Sequence, residues 1–150
     1  MACNAQRRRA RGVTLTEILV GLAVLGMLGV ILIPTYHSYV IGVNRSDARR
    51  DLRALAVQLH HCFERTGDYR VDATGSSNPC VKLPATNAEG TYSVAFAPGE
   101  PTPSSFRLLA TPRGEQAADS RCGTLTLDDR DNRGIMGTRE AGDCWQGPDD

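Results

Sequence analysis

Near the N-terminus the chain reads Arg11-Gly12-Val13-Thr14-Leu15-Thr16-Glu17-Ile18-Leu19-Val20. This passage opens an apolar run over residues 13–33 in which Glu17 is the one charged residue. A helix of that length rises about 1.5 Å per residue and crosses a hydrocarbon layer of about 30 Å. Four arginines lie among the first twelve residues, and basic residues beside a span stay on the cytoplasmic side. The pattern therefore predicts a single-pass transmembrane helix with a cytoplasmic N-terminus and an exported C-terminal part.

The carboxylate of Glu17 is unusual in an apolar helix. Inserting it costs about 2.5 kcal/mol or more, and such a group normally has a partner. The alternative is a glutamate at the membrane interface whose side chain reaches the polar layer. The apolar run continues directly into Pro34, without the shorter apolar core and the small-residue cleavage site of a secretory signal peptide. Cleavage after the apolar run is therefore not expected.

As a unit, residues 11–20 resemble the class III leader of type IV prepilins and pseudopilins. In that family a short basic leader and a glycine precede an apolar stretch with glutamate at its fifth position. The resemblance implies that prepilin peptidase cuts between Gly12 and Val13 and N-methylates Val13. It also implies that Glu17 pairs with the N-terminal ammonium of a neighbouring subunit during assembly. Val13 replaces the usual phenylalanine and Thr16 a usual larger apolar residue, while the glycine and the glutamate are retained.

Beyond Pro34 the apolar residues recur at three- and four-residue intervals, which predicts an amphipathic helix. The stripe consists of Ala48, Leu52, Leu55, Ala56, Leu59, Cys62 and Phe63. Gly67 follows the last apolar residue and is a helix stop. Pro34 and Gly42 each lower helix stability, so the segment around them is predicted to bend or melt locally.

Charged residues segregate by sign on the two flanks of this stripe. Arg45, Arg49, Arg53 and His60 fall on one flank, and Asp47 and Asp51 fall roughly on the other. Two interpretations are open. The flanks attract neighbouring subunits in a filament, or they form an ordinary solvated helix face.

The remainder of the chain carries strand signals. Residues 68–90 are rich in Gly, Ser, Asn, Pro and Ala with little periodicity, which is typical of a loop. Alternation of apolar and polar residues then predicts antiparallel strands at residues 91–96, 106–111 and 124–127. A polar turn over residues 128–134 leads to a possible last strand around Ile135 and Met136.

The cysteines predict disulfides. Removing the leader also removes Cys3 and leaves Cys62, Cys80, Cys122 and Cys144. An even number in an oxidising compartment predicts two bridges, for which three connectivities are possible. The shortest loops favour Cys62–Cys80 and Cys122–Cys144, each contributing about 3 kcal/mol in the chain-entropy model. The segment from Phe106 to Trp145 resembles the C-terminal half of PilE-like minor pilins, and pilins close this D-region with a disulfide, which supports the second pair.

Catalytic and metal chemistry find little support in the sequence. All three histidines (His37, His60 and His61) fall on the first helix, and no nucleophile-elbow, Walker or Rossmann pattern occurs. The cysteine spacings contain no CxxC pair, which disfavours zinc. The acidic residues within 128–134 suggest a calcium site, but Arg133 occupies a ligand position. A polar turn is therefore the better interpretation. We expect no catalytic residue, no cofactor and no metal.

The predicted fold class is α+β, the type IV pilin fold. One long N-terminal helix, transmembrane in its first half, packs on a small antiparallel sheet with a disulfide-closed C-terminal region. With 150 residues the chain allows one modest domain. The predicted segments are a leader (1–12) and a single pilin domain (13–150) made of a transmembrane and filament-core helix (13–33), an amphipathic helix (34–66), a connecting loop (67–90), and the sheet with the D-region (91–150).

The resemblance implies a type IV pilus minor pilin, a structural subunit supporting pilus biogenesis, adhesion, twitching motility or DNA uptake. Its partners would be other pilin subunits, prepilin peptidase and the inner-membrane assembly platform. It would lie in the inner membrane before assembly and in the extracellular pilus afterwards. Two alternatives stay open: a type II secretion pseudopilin and a DNA-receptor minor pilin for natural transformation.

The charge balance argues against the DNA-receptor alternative. Without residues 1–12 the chain has 13 basic and 17 acidic residues. Near the C-terminus the candidate phosphate contacts are Arg121, Arg130, Arg133 and Arg139. The carboxylates that share this stretch are Asp128, Asp129, Asp131, Glu140 and Asp143. Because local charge nearly cancels, the sequence predicts no DNA binding of physiological weight.

Overall fold

A computed structural model describes residues 13–72, 74–76 and 80–146, without the side chains of residues 30–35. The elements in chain order are α1 (Leu15–Thr66), β1 (Ala85–Thr86), β2 (Tyr92–Phe96), β3 (Arg107–Pro112), a 3₁₀ helix (Gly114–Ala118), β4 (Leu125–Asp128), β5 (Arg133–Ile135) and α2 (Ala141–Trp145). The predicted α+β class, with one long N-terminal helix followed by antiparallel strands, is confirmed.

The chain forms two compact units, Met1–Ser38 and Tyr39–Asp150. In the described part of the first unit the large apolar side chains are exposed, including Leu19 and Leu25. Among the described residues, no helical segment is both long and apolar enough to span a bilayer. Pro34 and Gly42 both lie inside α1, so the interruption predicted there is absent from the secondary structure. A glycine costs a helix only about 1 kcal/mol, which the formed turns around it offset.

The part of α1 in the second unit supplies one wall of the core. The apolar stripe is buried as its periodicity predicts, with Ala48, Leu52 and Leu59 fully inaccessible. The helix ends at Thr66, where Gly67 adopts a φ of 72° and donates its N–H to the carbonyl of Phe63 at 2.7 Å. Glycine tolerates this left-handed conformation, which closes many helices.

The other wall is a five-stranded antiparallel sheet in the order β1-β2-β3-β4-β5. Alternate side chains of its three longest strands are buried: Tyr92, Val94, Leu108, Ala110, Leu125 and Leu127. The strands predicted from alternation are confirmed. β1 lies within the segment predicted to be a loop, because a two-residue strand is too short to alternate.

Two disulfides tie the second unit together. Cys62, near the end of α1, bonds to Cys80 in the following segment, with 6.2 Å between their Cα atoms. Cys122, before β4, bonds to Cys144 in α2, with 5.7 Å between their Cα atoms. Cys122 and Cys144 are fully buried. The second bridge fixes the short helix α2 against the sheet.

Candidate nucleic-acid interface

Two arginines from distant parts of the C-terminal region lie side by side. After β5 the chain continues against the turn that precedes β4, and Met136 donates its N–H to the carbonyl of Thr124 at 2.8 Å. Three residues later, Arg139 donates its N–H to the carbonyl of Arg121 at 3.0 Å. This backbone bond brings the Cα positions of Arg121 and Arg139 together. We call these two residues the arginine pair.

Two glycines allow this close approach. Gly123 has a φ of 59°, and a Cβ there would lie 3.1 Å from the carbonyl oxygen of Met136. A Cβ on Gly137 would overlap the carbonyl group of Arg121. A residue without a Cβ is therefore required at both positions, because the two backbone segments touch directly.

The arginine pair is exposed, as is Glu140, the residue that follows Arg139. Within the described residues, no salt bridge joins either guanidinium to a carboxylate. Asp119, two residues before Arg121, is occupied by Arg45. Arg113, also exposed, lies at the same end of the sheet, where its N–H donates to the carbonyl of Thr91 at 2.8 Å. Exposed guanidinium groups without intramolecular partners are suited to phosphate contacts.

The other candidate arginines each lie near a local carboxylate. Arg133 contacts the carboxylate of Asp131 at 2.6 Å, and Arg130 lies 3.9 Å from that of Asp129. Arg133 also lies over the ring of Trp145, 5.9 Å from its centroid. The charge cancellation predicted for the whole C-terminal segment thus holds at this turn. Within the described residues, the arginine pair has no such contact.

The β4–β5 turn is closed by hydrogen bonds to the carboxylate of Asp128. Its Oδ1 accepts the backbone N–H groups of Arg130 and Asn132 at 3.0 and 2.9 Å, and its Oδ2 accepts the Asn132 amide at 2.9 Å. Partial burial raises the pKa of Asp128. The hydrogen bonds and the charge of Arg107 together lower it by more than burial raises it, so the pKa is below its usual value. Asp131 sits in the left-handed region with a φ of 59°. The segment is the polar turn that the sequence predicts.

The N-terminal processing residues are described only in part. Gly12 lies outside the described residues, and Val13 is exposed just before α1. Glu17 is exposed in the first turn, where its N–H donates to Thr14 Oγ1 at 3.3 Å. Thr14 is therefore a helix cap that the sequence analysis missed, although Thr14-x-x-Glu17 is the capping-box pattern. Within the described residues Glu17 forms no salt bridge.

The basic flank of α1 is only partly available to neighbours. Arg45 binds Asp119, 74 residues away in sequence, and Arg49 is buried and donates to Ser46 at 2.7 Å. Arg53 and His60 remain exposed. Neither interpretation therefore applies to Arg45, which has a tertiary ion pair, or to Arg49, which is buried. For Arg53 and His60 both interpretations stay predictions.

A groove of about 300 Å³ lies between α1 and β1. Asp51, Leu55 and Val94 are among its lining residues. Burial raises the pKa of Asp51, and the charges of Glu89 and Asp47 raise it further. The groove is therefore acidic, which is the wrong sign for a phosphate ligand.

Two family models match the chain. One, described as type IV minor pilin ComP, DNA uptake sequence receptor, covers residues 34–126. The other, the prokaryotic N-terminal methylation motif, covers residues 7–33. The chain belongs to the ComP family of minor type IV pilins. The class III leader identified from the sequence is confirmed as a family match.

A solved structure supports the same family. A type IV pilin from Shewanella oneidensis is 26% identical and has a TM-score of 0.50. The similarity covers 71% of this chain and 98% of that pilin. Among curated proteins nothing matches. The ComP family consists of structural pilus subunits, so the minor-pilin function expected from the leader is confirmed at the family level.

Proposed function

We propose that this minor pilin is a DNA receptor, which binds DNA at the arginine pair and carries it on a type IV pilus. One observation carries the proposal. Arg121 and Arg139 are adjacent, exposed and without a carboxylate partner among the described residues. The family description names a DNA uptake sequence receptor, which agrees with this chemistry. This replaces the expectation of no DNA binding, because that expectation averaged charges that the fold separates.

The N-terminal segment gives the proposal its cellular setting. Prepilin peptidase cuts between Gly12 and Val13 and N-methylates Val13, and the mature chain is held in the inner membrane by residues 13–33 with its N-terminus in the cytoplasm. The assembly platform then transfers it to an extracellular pilus. Glu17 pairs there with the N-terminal ammonium of a neighbouring pilin. The match to the methylation motif supports this sequence of events, as does the exposed carboxylate of Glu17, which forms no salt bridge with any described residue.

The proposed role is binding and assembly without catalysis. Among the described residues, no group of three or more histidine, cysteine or acidic side chains is placed to hold a metal ion. The groove beside β1 is lined by one carboxylate and mainly small or apolar residues. The polar residues that line the groove with Asp51 are Gln58, Thr86 and Asn87, which are not groups that exchange a proton near neutral pH.

The test uses the mature protein in non-ionic detergent and a short double-stranded DNA at physiological salt. Replacing both Arg121 and Arg139 by alanine should weaken binding roughly tenfold or more. The plot of log affinity against log salt concentration should also become less steep. The magnitude of its slope should fall by about two, which corresponds to the loss of two phosphate contacts. The matched control replaces Arg130 and Arg133 by alanine, which removes the same formal charge from groups already paired.

The control variant should bind nearly as well as the wild type, because those guanidinium groups already contact carboxylates. Binding that is absent in the wild type contradicts the DNA-receptor function. Binding that is lost equally in both double variants means that net charge, and not the arginine pair, controls the interaction.

A further inference from the structure

Asp119 is a buried carboxylate that joins α1 to the turn carrying Arg121. Its side chain is 4% exposed, and that of its partner Arg45 is 18% exposed. Asp119 Oδ2 accepts both the Nε and the Nη2 protons of Arg45, at 3.0 and 2.7 Å. A carboxylate taken out of water requires such compensation.

The second oxygen of Asp119 points into the turn. Oδ1 accepts the N–H of Cys122 at 3.4 Å, and the Asp119 carbonyl accepts the N–H of Gly123 at 2.8 Å. Arg121 lies between these bonded residues and Asp119. The carboxylate therefore fixes the backbone on the C-terminal side of Arg121 and links it to α1.

A neighbouring side-chain network supports the same connection. Gln116, buried in the 3₁₀ helix, accepts a bond from Asn44 at 3.0 Å and donates to the carbonyl of Ile41 at 3.2 Å and to the Tyr92 hydroxyl at 3.1 Å. Within the described part of the chain, no buried side-chain nitrogen or oxygen lacks a hydrogen-bond partner. A satisfied buried network holds one arrangement of the elements that it joins.

We infer that Asp119 is a positioning residue for DNA binding, which acts by holding Arg121 beside Arg139 through its bond to Arg45. This inference rests on the proposed function. A pre-positioned pair of guanidinium groups loses less conformational freedom on binding phosphate than two arginines on a mobile turn. Asp119 itself is inaccessible and does not touch DNA.

Asn is the informative replacement for Asp119. An asparagine offers one oxygen and one NH₂ group in place of two oxygens. Either Arg45 or the N–H of Cys122 then faces the NH₂ donor and loses its acceptor. The arrangement of the turn should therefore relax, while the shape of the side chain is kept.

Electrostatics and positioning predict opposite changes in the DNA affinity of the Asp119→Asn variant. Asp119→Asn removes one negative charge, so electrostatics alone predicts tighter binding. Positioning predicts the opposite, roughly fivefold weaker binding of the same double-stranded DNA by the mature protein in detergent. Asp47→Asn is the matched control, because it makes the same charge change at a carboxylate that pairs with Arg50 on the same helix. It should bind as well as the wild type or slightly better.

A double-mutant cycle separates positioning from general loss of structure. In the background that lacks both guanidinium groups of the arginine pair, Asp119→Asn should cause no further loss of affinity. Should Asp119→Asn fail to fold, Arg45→Lys keeps the charge but not the two-donor contact. Like Asp119→Asn, this variant should weaken DNA binding.

The outcomes are distinct. Wild-type protein that does not bind DNA overturns the proposed function and the positioning role together. Wild-type binding that depends on the arginine pair but is unchanged or tighter in Asp119→Asn and Arg45→Lys overturns the positioning role alone. The positioning role is also overturned if Asp119→Asn weakens DNA binding equally in the variant that already lacks both guanidinium groups of the arginine pair.

Discussion

The indole N–H of Trp145 donates a hydrogen bond to the carbonyl oxygen of Gly134 at 2.9 Å. This bond joins α2 to β5, the strand at one edge of the sheet. Gly134 in turn lies against Thr126 of β4, where a Cβ would meet the threonine hydroxyl. The hydrogen bond, together with the Cys122–Cys144 disulfide, places α2 beside an edge that would otherwise present unpaired backbone groups.

Trp145→Phe keeps most of the buried aromatic surface and removes this hydrogen bond. The free energy of unfolding should fall by about 1 kcal/mol, because the Gly134 carbonyl loses a partner. Trp145→Ala should cost about 3–5 kcal/mol. Urea titration followed by circular dichroism measures both, since the chain contains no other tryptophan for fluorescence. Equal stability of Trp145→Phe and the wild type would show that the bond is replaced by water.

Gly137→Ala should separate the two backbone segments that carry the arginine pair. A Cβ there overlaps the Arg121 carbonyl, so stability should fall by about 2 kcal/mol or more. DNA affinity should fall with it, as measured by mobility shift. Gly142→Ala is the matched control, because Gly142 lies in α2 and a Cβ there meets nothing within 4 Å. The control should be neutral or slightly stabilising.

Asp51→Asn should raise stability at neutral pH. The pKa of Asp51 is raised above its usual value by burial and by Glu89 and Asp47, so the folded state binds protons more tightly than the unfolded state. The penalty is absent below the unfolded pKa near 3.8 and complete above the folded pKa. The melting temperature of the variant should therefore exceed that of the wild type at pH 7, and by less at pH 3.5. A variant that is less stable at pH 7 contradicts the assignment.

The disulfides should be identified directly in the exported protein. Non-reducing peptide mapping should recover Cys62 linked to Cys80 and Cys122 linked to Cys144. Replacing Cys122 and Cys144 together by serine should cost about 3 kcal/mol, because the closed loop spans 22 residues. A recovered Cys62–Cys122 peptide contradicts the pairing, and free thiols contradict an oxidising compartment.

Glu17→Leu should leave cleavage and membrane insertion intact while incorporation into pili is lost. Leucine keeps helix propensity and lowers the cost of insertion, so only the pairing with a neighbouring N-terminus is removed. Immunoblots of sheared pili and membranes measure the distribution. Thr14→Ala is the companion variant, because it removes the helix cap, at about 1 kcal/mol, and keeps the carboxylate. Normal amounts of Glu17→Leu in pili would show that the pairing is dispensable.

Local periodicity accounts for the parts of the fold that could be predicted. The stripe of α1 and the alternation in β2 and β3 are signals carried by neighbouring residues, and all three elements bury the expected side chains. β1 and α2 are too short for a period to emerge. α2 owes its place to a disulfide and to the Trp145 bond, which are tertiary contacts.

The candidate site depends on pairings between distant residues. The sequence shows arginines and aspartates mixed between residues 121 and 143, and their sum is close to zero. The fold pairs Arg130 and Arg133 with local aspartates, while Asp119 is occupied by Arg45 from α1. Arg121 and Arg139 therefore form no salt bridge within the described residues because of tertiary pairings that no local pattern encodes.

The two disulfides also set how far the subunit can be stretched. They close loops of 18 and 22 residues. An extended chain spans at most about 3.3–3.6 Å per residue, so a pull on the backbone cannot draw out about 60 Å in the first loop or about 75 Å in the second. A pull on the second unit therefore meets covalent bonds at Cys62–Cys80 and Cys122–Cys144 before either loop can extend. In the proposed DNA receptor, the Cys122–Cys144 region would stay closed under the load of a bound polymer.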